Sequence, residues 1–139
     1  ITPDGTRAYV INKGDNTVSV VSTVPSSPNY NTVVASINLN PDFVDPYSIE
    51  VTPNGKYTYV STLNGAFNVI DSDPSSPTYN TLLSAPGLLA VNNQPQGFAI
   101  TTDGTRLYTS NGGGLSASAL NIDSSSPNFN SVLVTPGLD

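Results

Sequence analysis

The sequence predicts an all-β protein built from three units of about 50 residues each. Two recurring segments and one absence lead to that reading. Thr2-Pro3-Asp4-Gly5 runs into Arg7-Ala8-Tyr9-Val10, Thr52-Pro53-Asn54-Gly55 into Tyr57-Thr58-Tyr59-Val60, and Thr101-Thr102-Asp103-Gly104 into Arg106-Leu107-Tyr108-Thr109. A second landmark keeps the same beat: Pro25-Ser26-Ser27-Pro28-Asn29-Tyr30-Asn31-Thr32 returns at residues 74–81 and again, with Ser for the first Pro, at residues 124–131. No segment carries the 3.6-residue apolar period of a helix.

The middle unit shows the order of elements. Residues 46–51 (Pro46-Tyr47-Ser48-Ile49-Glu50-Val51) read as a short strand, and Pro53-Asn54-Gly55 as a turn in which Pro presets φ and Gly supplies a positive one. Residues 56–62 alternate as a second strand, with Thr58 and Val60 on one face and Tyr57 and Tyr59 on the other. Leu63-Asn64-Gly65 is the next turn, and residues 66–70 form a third strand that stops at Asp71-Ser72-Asp73-Pro74. The Pro-Ser-Ser-Pro run is unfit for a central strand, so a fourth, outer strand is expected at 80–85. By the same reading the first unit holds strands at 6–11, 17–21 and 32–37, and the third at 96–101, 105–110, 116–122 and 131–135. Four short antiparallel strands per unit, linked by turn chemistry, describe a propeller blade. The expected fold is therefore a β-propeller segment of about three four-stranded antiparallel blades, a partial propeller. All of residues 1–139 belong to one domain, with repeats at about 1–45, 46–94 and 95–139. The chain opens inside one motif and stops where another is due, which suggests a piece of a longer protein. The end faces of such a stack are apolar, with Val18, Val20, Val33, Ile37 and the repeated Tyr positions as candidates to line them, so missing blades of the same chain or self-association are expected to cover them.

Composition narrows the partners. Four basic residues (Arg7, Lys13, Lys56, Arg106) against ten acidic ones leave a net charge of −6. A phosphate backbone or an anionic membrane surface needs more cations than that, so neither nucleic acid nor a membrane is an expected partner. No apolar run is long enough to insert in a bilayer. Cys and His are absent, which removes the thiolate nucleophile, the sulfur ligand and the side chain that titrates near neutrality.

The motif Tyr9-Val10-Ile11-Asn12, with Tyr59-Val60-Ser61-Thr62 and Tyr108-Thr109-Ser110-Asn111 as degenerate copies and Val69-Ile70-Asp71 as a third-strand signature, resembles the YVTN β-propeller repeat. The likeness covers essentially the whole chain, with a unit lengthened by the Pro-Ser-Ser-Pro insertion. The resemblance implies a surface-layer or secreted protein, placed outside the cell, at its surface or in the periplasm. Related propellers include sugar-lactone hydrolases, which makes a lactonase-like fragment the alternative.

Candidate sites follow from the departures from the repeat. Tyr9, Tyr59 and Tyr108 are expected to pack blade on blade with the hydroxyl at a polar edge. Asp4, Asn54 and Asp103 are expected to cap turn amides. Asp71-Ser72-Asp73 has the spacing of a calcium loop but lacks its further oxygen ligands, so no metal is expected, and no cofactor. Gly112-Gly113-Gly114 lacks the Lys and Ser/Thr of a phosphate loop and reads as a hairpin connection. The irregular loops at one end of the strands hold the expected ligand-binding residues for a protein or small molecule. These are Asn12, Lys13, Asp15, Asn64 and Asn111 on the hairpins, and Asp42, Asp45, Asn93 and Gln94 on the connections between units. Glu50, the one glutamate, falls on an inner strand where it could face a central channel. A single carboxylate without His makes no catalytic pair, so no catalytic residue is expected.

Overall fold

The computed structural model describes residues 1–42, 45–83, 88–90, 94–112 and 116–134. These form three antiparallel sheets. The first has the order β1 (Arg7–Asn12), β2 (Thr17–Ser22), β3 (Val33–Asn38); the second β4 (Pro46–Val51), β5 (Tyr57–Thr62), β6 (Ala66–Asp71), β7 (Leu88–Ala90); the third β8 (Pro95–Ile100), β9 (Arg106–Asn111), β10 (Ser116–Asn121), β11 (Ser131–Val134). Each sheet is a meander of neighbours in sequence, which short hairpin turns permit. Among the described residues the one helical feature is a 3-10 turn, Lys13–Asp15, closed by Asn16 in the left-handed region (φ 54°).

The expected strands agree with the observed ones to within a residue or two, except the outer strand of the second blade. It was expected at 80–85, where the Ile70–Leu82 bridge and the bonds from Asp71 N to Thr81 O (3.0 Å) and Leu83 N to Val69 O (2.8 Å) join it to β6; the regular ladder, β7, lies at Leu88–Ala90. Asn80 ends a double turn at φ 59°, as Asn31 and Asn130 do at 57°, and contact with β6 starts directly after it at Thr81, in the expected place. The last two expected residues, 84 and 85, lie outside the described ones, as does residue 135 of the third blade's outer strand.

The Thr-x-Asp/Asn-Gly segments close three equivalent turns. Gly5, Gly55 and Gly104 donate their amides to the carbonyls of Thr2, Thr52 and Thr101 at 2.8–2.9 Å. Gly55 and Gly104 sit at φ 74° and 69°, and the Cδ of Pro3 and of Pro53 comes to 3.4 and 3.5 Å from where a Cβ would stand. Each turn therefore leans on the turn of the next blade, and Gly serves both the backbone angle and the close approach. Gly55→Ala is expected to destabilise by about 1–2 kcal/mol through the positive φ, read as a fall of the thermal midpoint; an unchanged midpoint would show that the turn tolerates a side chain.

Alternation along the strands builds two cores between three sheets. Tyr9, Val18, Val20 and Ile37 of the first sheet meet Val60 and Ile70 of the second, with Ile49 and Val51 beside them. From the other face of the second sheet, Tyr59, Phe67 and Val69 meet Leu107, Leu120 and Ile122, with Phe98 and Ile100 beside them. The middle sheet is thus buried on both faces, and its third strand is buried at every position. Val18, Val20 and Ile37, expected on an open end of the stack, are in fact core, because the first blade turns that face to the second. Val33, with Val10 and Val34, is exposed.

Candidate functional site

The loops at one end of the strands hold eight of the nine expected ligand-binding residues; Asn93 lies outside the described residues. Two of the eight are structural. Asn12 donates its amide to Thr17 Oγ1 (3.0 Å) and Ser19 Oγ (2.8 Å), and Asn111 does the same one blade pair on, to Ser116 and Ser118 (both 3.0 Å). These amides lace the start of each hairpin, and Asn111 is buried. Asp45 and Gln94 occupy equivalent places in the connections between blades. Both adopt positive φ (59° and 54°), and their carbonyls accept from Leu63 N (3.1 Å) and Gly112 N (2.9 Å).

The remaining side chains stay in solvent and draw together only in part. Lys13 Nζ lies 3.7 Å from Asp45 Oδ1, linking the first hairpin to the connection that enters the second blade. Both groups are more than half exposed, so the pair contributes about 0–1 kcal/mol. Asn64 donates to the carbonyl of Asp42 at 2.8 Å, while Asp42 N donates to Asn40 Oδ1 at 2.9 Å. Asp15 is exposed on the 3-10 turn. The result is a polar rim of Lys13, Asp45, Asp42, Asn64 and Asp15 rather than a convergent cavity.

At the opposite end a cleft of about 200 Å³ opens between the first two blades. It is lined among others by Asp4, Arg7, Lys56, Asp73 and Tyr79. The sequence reading passed over it, because its residues come from turns explained by turn chemistry alone.

A second feature escaped that reading. After each Pro/Ser-Ser-Ser-Pro run, two successive turns end on an Asn in the left-handed region: Asn31 (57°), Asn80 (59°) and Asn130 (57°). Asn tolerates that angle where most residues do not, and it brings an amide. Tyr9 Oη donates to Asn80 Oδ1 at 2.8 Å, and Tyr59 Oη to Asn130 Oδ1 at 2.6 Å, each across a blade boundary and each spanning 71 residues. Burial raises the pKa of both phenols, so they remain donors. The signal was in the sequence: Tyr and Asn recur together in every unit.

The turn carboxylates titrate in step. Hydrogen bonds from Thr2 Oγ1 and Thr6 N lower the pKa of Asp4 below 3.8, those from Thr101 and Thr105 lower Asp103, and those from Ser75 and Ser125 lower Asp73 and Asp123. A carboxylate whose folded pKa is depressed stabilises above its unfolded pKa and loses that contribution as pH falls through the folded value. The thermal midpoint is expected to drop below about pH 4 for this reason. Asn54 makes the same bonds without a charge, to Thr52 Oγ1 (2.7 Å) and Lys56 N (3.0 Å). Asp4→Asn with Asp103→Asn is therefore expected to keep the fold and flatten the acid drop; a drop as steep as in the parent chain would assign it elsewhere.

Glu50 does not stand free in a channel. It pairs with Tyr59 in the ladder and is partly buried on the face turned to the third sheet. Burial raises its pKa, and the polar backbone near Ile100 opposes the rise only in part. Among the described residues no group of three or more acidic side chains is placed to hold a metal ion.

Comparison with solved structures defines the fold. The chain superposes on a Bacteroides fragilis protein provisionally described as a 6-phosphogluconolactonase (TM-score 0.80, 17% identity, covering 100% of this chain and 38% of that one). It also superposes on Kuenenia stuttgartiensis hydrazine synthase (TM-score 0.71, 24% identity, 97% and 35%) and on the Cps50 (Swd1) β-propeller domain of Myceliophteria thermophila (TM-score 0.72, 9% identity, 99% and 39%). No protein-family model and no curated protein matches the sequence. The chain is a β-propeller segment, and it spans well under half the length of these structures.

Proposed function

We propose that the chain is a non-catalytic extracellular or cell-surface propeller scaffold of the YVTN type, which presents its rim loops to a protein or small-molecule ligand. One observation carries the reading: Glu50, the one glutamate and the carboxylate best placed by sequence to act from an inner strand, lies partly buried on the face of the second sheet turned to the third, apart from the loops that hold the exposed polar side chains. The exposed polar side chains gather instead on the rim, where Lys13, Asp15, Asp42, Asp45 and Asn64 stand on a frame fixed by buried sheets. Rigid frame and variable loops are the usual division between support and recognition. A lactonase-like hydrolase is the second reading, favoured by the likeness to the Bacteroides protein.

The two readings separate at Glu50. The chain is expected to hydrolyse a δ-lactone no faster than buffer does. Glu50→Gln is expected to raise the thermal midpoint at pH 7 and leave it unchanged near pH 4. A raised folded pKa gives a contribution that is full below the unfolded pKa and lost as pH rises through the folded one. Lactone turnover that Glu50→Gln abolishes would install the hydrolase reading in place of the scaffold. Antibody labelling of intact source cells checks the location.

A further inference from the structure

We propose that the cleft between the first two blades, at the end of the strands opposite the rim, binds a small organic carboxylate that carries a single ring. The proposal stands apart from the rim reading, because none of the rim side chains lines this cleft. Pro3, Pro74 and Tyr79 give it an apolar wall, and Arg7 and Lys56 bring to it two of the chain's four basic side chains. Its volume of about 200 Å³ lies below that of pockets for drug-sized ligands, and suits one ring with a short polar group.

The repeat shows that the cleft is more than a by-product of stacking. At the second boundary Tyr57 takes the place of Arg7, Thr105 that of Lys56 and Phe129 that of Tyr79. There Tyr57 packs on Phe129, with ring centroids 5.2 Å apart, so one aromatic ring covers the other. At the first boundary a guanidinium group replaces the covering ring, and Tyr79 remains half-buried at the cleft. Both cations therefore sit at the boundary where the aromatic filling is missing.

The hydrogen bonds define what the cleft lacks. Its carboxylates are already engaged. Asp4 Oδ1 accepts from Thr2 Oγ1 (2.6 Å) and Thr6 N (3.0 Å), and Asp4 Oδ2 from Thr6 Oγ1 (2.9 Å). Asp73 Oδ1 accepts from Ser75 N (2.9 Å) and Ser75 Oγ (2.6 Å). The cations are less engaged. Arg7 donates Nη1 to the Thr6 carbonyl at 2.7 Å, but its Nε is buried and has no partner among the described residues. Lys56 Nζ lies 3.8 Å from Asp73 Oδ2, too far for a charge-assisted hydrogen bond, and its side chain is 54% exposed. A buried donor without an acceptor is costly, and a carboxylate offers a guanidinium two acceptors in one plane. Hydrogen bonds lower the pKa of Asp4 and Asp73, so both stay ionised near neutrality. Two fixed negative charges in the lining repel a dianion more strongly than a monoanion. One negative charge on an apolar ring thus matches the guanidinium, the ammonium and the uncovered Tyr79 together.

Benzoate added to the isotope-labelled 139-residue chain is expected to shift the amides of Arg7, Gly55, Lys56 and Tyr79 along one saturable curve in the millimolar range. Benzamide, with the ring and no charge, and acetate, with the charge and no ring, are each expected to bind at least about tenfold more weakly. Inorganic phosphate is expected not to compete. Arg7→Tyr copies the second boundary, and is expected to abolish the saturable shifts while the thermal midpoint holds or rises. Lys56→Gln, at an exposed position, is expected to keep the fold and weaken benzoate about three- to tenfold. Benzoate shifts that fail to saturate, or that fall elsewhere on the chain, overturn the proposal. So does benzamide binding as tightly as benzoate, or unchanged affinity in either folded variant. Methyl glucoside filling the cleft in place of benzoate would make it a sugar site and overturn the carboxylate assignment.

Discussion

Tyr59→Ala is expected to destabilise the chain by about 3–5 kcal/mol, the range for removing a large buried aromatic. Its ring is fully buried between the second and third sheets, and its hydroxyl holds Asn130 at 2.6 Å. Tyr59→Phe isolates the hydroxyl: the cost falls to about 1–3 kcal/mol, because a buried amide oxygen loses its donor. The same replacement at the same point of the repeat, Tyr108→Ala, is expected to change stability by no more than about 0.5 kcal/mol in dilute solution, since that ring faces solvent. Urea midpoints at constant slope report all three. Equal losses at positions 59 and 108 would mean that the Tyr108 ring is covered rather than exposed.

Phe67→Ala carries a loss of similar size, about 3–5 kcal/mol. Phe67 is fully buried and meets Phe98 edge to face, with centroids 5.1 Å apart and planes at 85°. The contact crosses the boundary between the second and third sheets, so the loss is expected to loosen one boundary while the core between the first two sheets stays intact. Stack stability of this kind is a sum over neighbouring units. Hydrogen exchange read strand by strand is expected to show faster opening in β8–β11 than in β1–β3. Uniform acceleration through all three sheets would show that the stack unfolds as one cooperative block.

Periodicity alone carried most of the architecture. The spacing of the Thr-Pro-Asp-Gly and Pro-Ser-Ser-Pro landmarks set the repeat, and alternation within residues 57–62 set the faces, because both depend on local backbone geometry that a short window contains. The turn role of Asp4, Asn54 and Asp103 was legible for the same reason: donor and acceptor lie within a few residues. The outer strand of the second blade meets β6 where the repeat placed it, at Thr81 and Leu83, while its regular ladder at Leu88–Ala90 was not legible.

What lies across blade boundaries was not legible. Asn12 and Asn111 are a separate case: they looked like rim ligands although the hydroxyls their amides meet lie only five and seven residues on, across the hairpin of the same blade. Glu50 looked free to face an axis until the stacking of the second and third sheets partly buried it beside Tyr59. Tyr9 with Asn80 and Tyr59 with Asn130 recur together along the chain, yet only the stacking of blades makes each pair one hydrogen bond rather than two turn residues. The sequence by itself determined the unit, its strands and its turns, since these are contacts between near neighbours. Tertiary structure decided which polar groups are spent on holding blades together and which remain on the rim, since a partner 71 residues away is chosen by packing and not by local propensity.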